Sequence, residues 1–395
     1  MWSYKQTKYM IPVADSSPVL IGNKVESILP YLISNEFAVD AKQDGEVVEI
    51  KDDYCVVKYK DGTYYSIDIG SRIKKNASAG FFIDNKLTCN LKVGDKFKKG
   101  DILAYSDKAF TPNRDGKGAS MNLGVLTKIA IVSNWDVYED SAPITKKLAE
   151  RLATDMVWEK AVSLNPGTYI EKMVKIGDKI KTGESLMLFE EVDDTDFAAV
   201  LKQIREENQE ELIESTKSTI TSKYTGEIAD IKIYSTVPVE EMDESLAKIV
   251  TDYYKKVEKR NNVLEKYKNP GDCNYYKSGQ IISEESKVMK PSKSGKIKGE
   301  YAENSVVIVF YVKYRDVAAK GDKVCAQFAL KGVCSHVIEE GLEPYSEYRP
   351  DEEISALIAP LAVSARKVPS VFKMMFGNKL LIELKRHLKD MYLNN

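Results

Sequence analysis

Apolar and polar residues alternate through residues 45–69, GEVVEIKDDYCVVKYKDGTYYSIDI, and the alternation is interrupted by Asp-Asp and by Asp-Gly. A period of two is typical of strands with one buried face, and both interruptions are turn-forming pairs. The stretch therefore predicts a meander of short antiparallel strands. Residues 306–317, VVIVFYVKYRDV, are rich in β-branched and aromatic side chains and predict a further strand.

Two stretches share the pattern Gly-Asp-x-hydrophobic-x-x-Gly-acid-x-Leu, one from Gly94 (GDKFKKGDIL) and one from Gly177 (GDKIKTGESL). Each predicts short strands and two tight turns, with the glycines at positive φ. A third Gly-Asp-Lys begins at Gly321, in KGDKVCAQFALKG, and departs from the other two after its lysine.

Helical periodicity appears in four places. Residues 142–161 predict a helix with Leu148, Leu152 and Met156 on one face. Residues 197–214 and 240–268 predict two longer helices, which form either a protruding antiparallel arm or ordinary surface helices. Residues 372–393 predict a final helix. The two segments 269–279 and 289–305 are polar and predict loops. The fold class predicted is α+β and rich in β-structure.

Composition restricts the class of protein. The chain has 395 residues, 30% charged and 43% hydrophobic, with a formal net charge of −2. This is a globular composition, and it gives no overall basic character that would favour nucleic acid. No apolar run is long enough for a membrane span and the start lacks a signal peptide, so we expect no membrane partner.

The cysteines and histidines limit the chemistry. The five cysteines form no CxxC pair, which favours a reducing compartment over a disulfide framework. Cys325, Cys334 and His336 fit no standard zinc spacing and lack a fourth ligand, so no zinc is expected in this chain. With only two histidines, catalysis by a histidine base is disfavoured.

Positive charge concentrates around the third Gly-Asp-Lys. Residues 313–331 contain five lysines or arginines and two aspartates, a local charge of +3. Lys323 and Lys331 stand among small and apolar neighbours that we expect to be partly buried: Val324, Cys325, Ala326, Phe328, Ala329 and Leu330. Lysine is rarely buried without a partner, so the pair suggests a bound anion such as phosphate. Lysines that extend from a sheet edge into solvent are the alternative.

Residues 306–332 resemble a segment of the β subunit of multisubunit DNA-dependent RNA polymerases, V-K-V-x-x-x-x-x-R-x-x-x-x-G-D-K-x-x-x-R-H-G-N-K-G in that family. Both lysines and their spacing match, although the Arg-His-Gly-Asn between them is replaced by Gln-Phe-Ala-Leu in this chain. The resemblance implies a double-psi β-barrel with inserted β modules of the barrel-sandwich or hairpin type and a helical insertion. It also implies that Lys323 and Lys331 reach phosphates of the RNA 3′ end and the initiating nucleotide.

Further stretches resemble the same family in the same order. Residues 359–372, APLAVSARKVPSVF, are similar to N-P-L-G-V-P-S-R-M-x-x-G-Q-I, which implies that Arg366 contacts nucleotide phosphates. Residues 134–152 are similar to N-G-Y-N-F-E-D-x-I-x-I-S-E-R-L, which implies that Glu139 and Asp140 lie near the incoming nucleotide and a second Mg²⁺. Residues 9–30 resemble a more divergent motif, from which no site residue is inferred.

The resemblance implies one piece of a split β subunit, most like those of large-genome bacteriophages. Implied partners are an N-terminal β piece, β′ pieces with an Asp-rich loop for the primary Mg²⁺, a promoter-recognition subunit, template DNA, transcript RNA and nucleoside triphosphates. A viral origin implies the cytoplasm of an infected bacterial cell, with packaging in the virion left open. The predicted regions are 1–145 with the Glu-Asp motif, 146–290 with a helical lobe, 291–372 completing the barrel, and the helix 373–395.

The implied function is nucleotidyl transfer in RNA synthesis on a DNA template, with this chain inactive alone. Lys323, Lys331 and Arg366 would be its catalytic residues. The alternative is a non-catalytic assembly scaffold of the same complex. A carrier module built on the two Gly-Asp-Lys hairpins is disfavoured, because neither hairpin contains a carrier motif such as Met-Lys-Met.

Overall fold

A computed structural model describes residues 13–17, 20, 25–75, 82–113, 116, 118–122, 124–190, 217–235, 237–267, 305–326, 330–365 and 369–394. The helix predicted at 197–214, the loop at 269–279, nearly all of that at 289–305 and Arg366 lie outside these residues. The chain divides into two compact units. The first comprises Met1–Asp40, Tyr105–Asp155 and Arg315–Asn395, and the second comprises Ala41–Ala104 and Met156–Tyr314.

The described helices are α1 (Val25–Leu32), α2 (Lys146–Arg151), α3 (Glu244–Glu265), α4 (Pro360–Ser364) and α5 (Ser370–Leu393), with a 3₁₀ turn at Val239–Glu241. The described strands are β1 (Ala38–Asp40), β2 (Gly45–Ile50), β3 (Tyr54–Tyr59), β4 (Tyr64–Asp68), β5 (Ile73–Lys75), β6 (Phe82–Asp84), β7 (Lys96–Phe97), β8 (Ile102–Tyr105), β9 (Phe110–Pro112), β10 (Ala119–Met121), β11 (Ile129–Ile131), β12 (Ile144–Thr145), β13 (Thr154–Leu164), β14 (Tyr169–Met173), β15 (Lys179–Ile180), β16 (Ser185–Glu190), β17 (Lys217–Thr221), β18 (Gly226–Ser235), β19 (Val306–Asp316), β20 (Lys323–Ala326), β21 (Leu330–Val333), β22 (Val337–Ile338), β23 (Tyr345–Ser346), β24 (Arg349–Glu353) and β25 (Ala356–Ile358).

Three sheets make up most of the described part of the second unit. The predicted meander is confirmed as β2, β3 and β4, which pair antiparallel in a four-stranded sheet of order β4-β3-β2-β7. The predicted strand at 306–317 is confirmed as β19, which pairs antiparallel with β18 in a six-stranded sheet. Strands β14, β16 and β17 form the third sheet. Apolar side chains from β13, β16, β18 and β19 form the main core of this unit.

Both ends of helix α3 pack against the sheets of the second unit. Leu246 and Val250 are buried in the main core, while Leu264 is buried against Tyr54 and Val56. Burial at both ends favours the surface-helix alternative for residues 240–268 over a protruding arm.

The first unit carries a four-stranded mixed sheet of order β11-β25-β12-β22. Strand β11 runs parallel to β25 and β12 runs parallel to β22, whereas β12 and β25 are antiparallel. The described chain is thus β-rich with a few helices, which confirms the α+β prediction. No sheet closes into a barrel within the part of the chain that the structure describes.

The helix predicted at residues 142–161 is wrong in its second half. Helix α2 begins after Thr145, whose hydroxyl accepts the Leu148 amide as an N-cap, and its C-cap is Leu152. Met156 lies instead in β13, which joins the six-stranded sheet between β19 and β6. Leu148 and Met156 fit both periodicities, so the β-prone sequence around Val157 and Trp158 decides the outcome.

The four-region division predicted from the sequence stays a prediction. No described helix combines the length and the apolarity that a bilayer span requires.

Candidate functional site

The third Gly-Asp-Lys forms the same kind of turn as the other two copies. Gly94, Gly177 and Gly321 have φ values of 91°, 91° and 96°. In the third copy the Asp322 carboxylate accepts the Ala319 amide at 2.8 Å, as Asp95 and Asp178 accept backbone amides in the first two. The shared element is therefore a turn closed by its own aspartate, and the third copy differs in the strands that come after the turn.

The third turn leads into a two-stranded antiparallel hairpin, β20 and β21, called here the lysine hairpin. Lys323 pairs with Val333 and Cys325 pairs with Lys331. Because cross-strand partners and alternate residues share a face, the pairing puts Lys323 and Lys331 on one face. That face is exposed, whereas the opposite face, with Val324, Ala326, Leu330 and Gly332, is half-buried or buried.

The predicted burial around the lysines is confirmed for Val324, Ala326 and Leu330 and is wrong for Cys325, which is exposed. The same prediction for Phe328 and Ala329 lies outside the described residues. Both lysine side chains are themselves exposed. Strand alternation is the reason, because every second residue of the hairpin faces solvent. Burial of the lysines therefore gives no support to a bound anion. Exposed lysines at a sheet edge agree both with a phosphate site and with side chains that simply extend into solvent.

Glu139 and Asp140 lie in a tight turn, residues 138–141, called here the acidic turn. The Tyr138 amide donates to the Ser141 hydroxyl at 2.8 Å, and the Ser141 amide donates to the Tyr138 carbonyl at 2.9 Å. Glu139 has a φ of 47°, and among the described residues it is the one non-glycine residue at positive φ. A glutamate in this conformation is strained by about 1–2 kcal/mol, which marks the turn as constrained by its surroundings.

The lysine hairpin and the acidic turn are joined through their backbones. The Val333 amide donates to the Asp140 carbonyl at 2.8 Å, and the Ala142 amide donates to the Val333 carbonyl at 2.9 Å. A β-carbon at Gly332 would lie 2.6 Å from the Asp140 carbonyl oxygen, which is too close for any side chain. Gly332 is therefore required for this contact, and it is a positioning residue that reasoning from the sequence missed. A glycine inside a strand, directly after Lys331, was the available signal.

A cavity of about 30 Å³ lies between these elements. Its described lining includes Glu139, Asp140 and Lys331. The apolar part of the lining includes Leu330 and Ile358, with Leu330 buried in the core cluster beneath. The structure thus brings three of the five predicted site residues together, in a space about the size of one or two water molecules.

Of the other two predicted site residues, one is placed away from the cavity and one is not described. Lys323 lies on the same face of the hairpin as Lys331 but is not among the described residues that line the cavity. Arg366 lies outside the described residues. Of the residues that line the cavity, Ala362 in α4 is the one closest to Arg366 in the sequence.

The acidic turn has a donor set that fits a Mg²⁺ shared with other ligands. Glu139 and Asp140 are exposed carboxylates beside the cavity. Mg²⁺ typically takes one or two protein carboxylates and completes its shell with water and substrate phosphates. Across the described residues, no three His, Cys, Asp or Glu side chains cluster closely enough to hold a metal ion alone.

Cys334 follows directly after the lysine hairpin. Its side chain is fully buried, and burial together with the Asp322 carboxylate raises the pKa of the Cys334 thiol. The absence of zinc from this chain stays a prediction.

Comparison with known proteins gives a family. None of the curated proteins matched the chain. The family model for RNA polymerase Rpb2, domain 6, matches residues 127–378, which is more than half of the 395 residues and includes both the acidic turn and the lysine hairpin. The chain therefore belongs to the RNA polymerase Rpb2 domain 6 family and is a piece of a second-largest, β-type subunit of DNA-directed RNA polymerase.

Proposed function

We propose that this chain supplies phosphate-binding cations to the nucleotidyl-transfer site of an RNA polymerase. The observation that carries the proposal is the cavity that unites Glu139, Asp140 and Lys331, inside the segment that matches the family. In the proposed reaction the RNA 3′ hydroxyl attacks the α-phosphate of a nucleoside triphosphate and pyrophosphate leaves, with DNA as the template.

The lysines would act by electrostatic stabilisation. Lys323 and Lys331 share the exposed face of a hairpin whose other face is anchored in the core. Ammonium groups carried on an anchored hairpin would offset the negative charge on a bound phosphate. Arg366 is proposed to add a third cation, which binds phosphate oxygens in pairs.

Glu139 and Asp140 are proposed to hold the second Mg²⁺, in part through water. When bound, this ion neutralises charge on the triphosphate. The primary Mg²⁺ is proposed to lie on a partner subunit with an Asp-rich loop, because the sequence of this chain contains no D-F-D-G-D. This chain is accordingly proposed to be inactive alone.

From the family resemblance we further propose that residues outside the described sheets complete a double-psi β-barrel. We propose that the chain is one piece of a split β subunit from a large-genome bacteriophage and that it acts in the infected cell or in the virion. Its proposed partners are an N-terminal β piece, β′ pieces, a promoter-recognition subunit, template DNA, transcript RNA and nucleoside triphosphates.

The test is transcription by the assembled polymerase carrying Lys323→Ala with Lys331→Ala. Both lysines are exposed, so folding and assembly should be unchanged. The elongation rate should fall by roughly 100-fold or more, as is usual when charge-stabilising donors are removed from an active site. The matched control is Lys51→Ala with Lys86→Ala, two exposed lysines of the other unit, which should elongate normally.

A double variant that assembles and elongates within two-fold of the unmodified enzyme would contradict the proposal. That result would favour the scaffold alternative, with which the exposed position of both lysines also agrees.

A further inference from the structure

Helix α5 directs Glu383 and Arg386 toward the protein and several large apolar residues toward solvent. On the inner side, Glu383 pairs with Arg349 at 2.9 Å and with Arg386 at 3.1 Å, and Arg386 also pairs with Glu352. Val371 and Met375 anchor the first turns in the core cluster beneath the lysine hairpin. A surface helix normally exposes its polar side, so within the described residues the fold leaves the apolar outer face of α5 unexplained.

The outer face has the spacing of a coiled-coil seam. Leu381, Leu384, Leu388 and Met391 follow one another at intervals of three, four and three residues. They are 39%, 51%, 57% and 53% exposed. Intervals of three and four place apolar residues at the a and d positions of a heptad, and that seam is formed to receive another helix.

The charged residues beside the apolar seam of α5 indicate what kind of partner helix would bind there. Lys385 and His387 occupy positions that flank the seam, and none of the flanking positions from Asn378 to Tyr392 carries an acidic residue. Elsewhere on α5, exposed basic residues outnumber exposed acidic ones: the lysines are Lys373, Lys379 and Lys389, and the acidic residue is Asp390. Flanking charges set partner choice in paired helices, so this face favours a partner with acidic flanks. A second copy would bring lysine toward lysine and gain no ion pair.

We propose that the outer face of α5, defined by Leu381, Leu384, Leu388 and Met391, binds an amphipathic helix of another polymerase subunit, with acidic residues beside its apolar stripe. The proposal rests on membership of the polymerase subunit family and not on the role of the cavity lysines. Exposed apolar surface of this extent on one helix marks an interaction site. Binding would cover the seam and place carboxylates opposite Lys385.

The test uses the full chain in polymerase assembled in producing cells, with p-benzoylphenylalanine introduced in place of Leu388. Light should attach this probe to a peptide of a different polymerase subunit that has acidic residues within one helical turn of the attachment point. The same probe at Lys379, on the opposite side of the helix from the seam, should attach at least ten-fold less of that peptide. Attachment from position 388 to a second copy of this chain, to nucleic acid, or to nothing would overturn the proposal.

Two substitution pairs provide an independent measurement. Leu384→Gln with Leu388→Gln should reduce retention of the partner subunit on the tagged chain at least ten-fold. Leu32→Gln with Leu342→Gln, two comparably exposed leucines outside α5, should leave it unchanged. Because the substituted leucines are exposed, the variants should fold, which far-ultraviolet circular dichroism checks. Equal retention by both pairs would overturn the proposal even if the lysine variants abolish elongation.

Discussion

The backbone amide of Val333 donates a hydrogen bond to the carbonyl oxygen of Asp140 across 2.8 Å. This bond ties the lysine hairpin to the acidic turn, although the two residues are far apart in the chain. This backbone bond therefore helps to set the position of the lysine hairpin relative to the acidic turn. A substitution that breaks this bond should move the two groups apart even if it leaves both of them in place.

Gly332→Ala should separate the hairpin from the acidic turn. The added β-carbon would meet the Asp140 carbonyl oxygen at 2.6 Å, and the neighbouring Ala142 β-carbon at 3.2 Å limits any shift. Overpacking of this kind costs about 1–3 kcal/mol. Hydrogen–deuterium exchange of peptides covering residues 138–145 and 330–336 should accelerate about ten-fold or more, since about 1.4 kcal/mol corresponds to one factor of ten.

Val333→Ala is the control for that experiment. It shortens an exposed side chain on the same strand and keeps both backbone hydrogen bonds, so exchange should change little. Unchanged exchange in Gly332→Ala would mean that the turn and the hairpin are not held together as the structure shows.

Glu139→Asn separates the shape of the acidic turn from its charge. Asparagine accepts positive φ more readily than glutamate, so the turn should persist and its amides should exchange no faster. The carboxylate is lost, so the Mg²⁺ concentration that gives half-maximal nucleotide incorporation should rise roughly 10-fold or more, as for lost outer-sphere ligands.

Glu150→Gln is the matched control for Glu139→Asn, because it removes an exposed carboxylate from α2. It should leave the Mg²⁺ requirement unchanged. An unchanged requirement in Glu139→Asn, with the turn intact, would remove Glu139 from the proposed metal site.

The sequence predicted the features that depend on neighbours in the chain and missed those that depend on distant residues. Alternation and the turn-forming pairs indicated the strands around Val57, although β3 itself is buried at nearly every residue. The contact between Gly332 and Asp140 has no local signal beyond a glycine in a strand. Met156 fitted a helical face and a strand equally, and only pairing within the folded chain places it in β13. The grouping of Glu139, Asp140 and Lys331 was reached through family resemblance, since an exposed Glu-Asp pair alone is usually a solvated turn.

A carboxylate–tyrosine cluster in the second unit should make its stability depend on pH. The Tyr267 hydroxyl donates to Glu49, and Tyr54 donates to the same carboxylate at 3.0 Å. The bond from Tyr267 holds the pKa of Glu49 below its ordinary value, and the same bond raises the pKa of Tyr267 to about 12. Because the pKa of Glu49 is lower in the folded chain, this carboxylate adds to the free energy of unfolding above the ordinary carboxyl pKa. That stabilisation is lost as the pH falls through the pKa of Glu49 in the folded chain. Tyr267 adds to the free energy of unfolding below pH 10, and its stabilisation is lost as the pH rises toward 12.

Tyr267→Phe should therefore lower the free energy of unfolding of this unit by about 1 kcal/mol at pH 7, because hydrogen bonds to partly exposed charges are modest. Urea unfolding followed at pH 7 and below pH 4 measures the effect, and the difference from the unmodified chain should shrink at the acid end. Tyr348→Phe, with its hydroxyl in solvent, should show no difference at either pH. A loss that is equally large in acid would exclude the Glu49 bond as its cause.

The thiols of Cys55 and Cys89 form the final testable pair, with their Sγ atoms 4.0 Å apart. Cys55 is fully buried and Cys89 is half-buried, so alkylating reagents reach Cys89 more easily. A hydrogen bond with Cys55 lowers the pKa of Cys89 to about 7, while the same interaction raises the pKa of Cys55.

The rate at which iodoacetamide modifies Cys89 should therefore rise with pH with a midpoint near pH 7, because the thiolate is the nucleophile. Peptide mass spectrometry measures this rate. Cys55→Ser puts a smaller hydroxyl at a longer distance from the Cys89 sulfur and should move the midpoint upward, whereas Cys334→Ser should leave it in place. A midpoint that is the same with and without the Cys55 thiol would show that the two sulfurs do not interact.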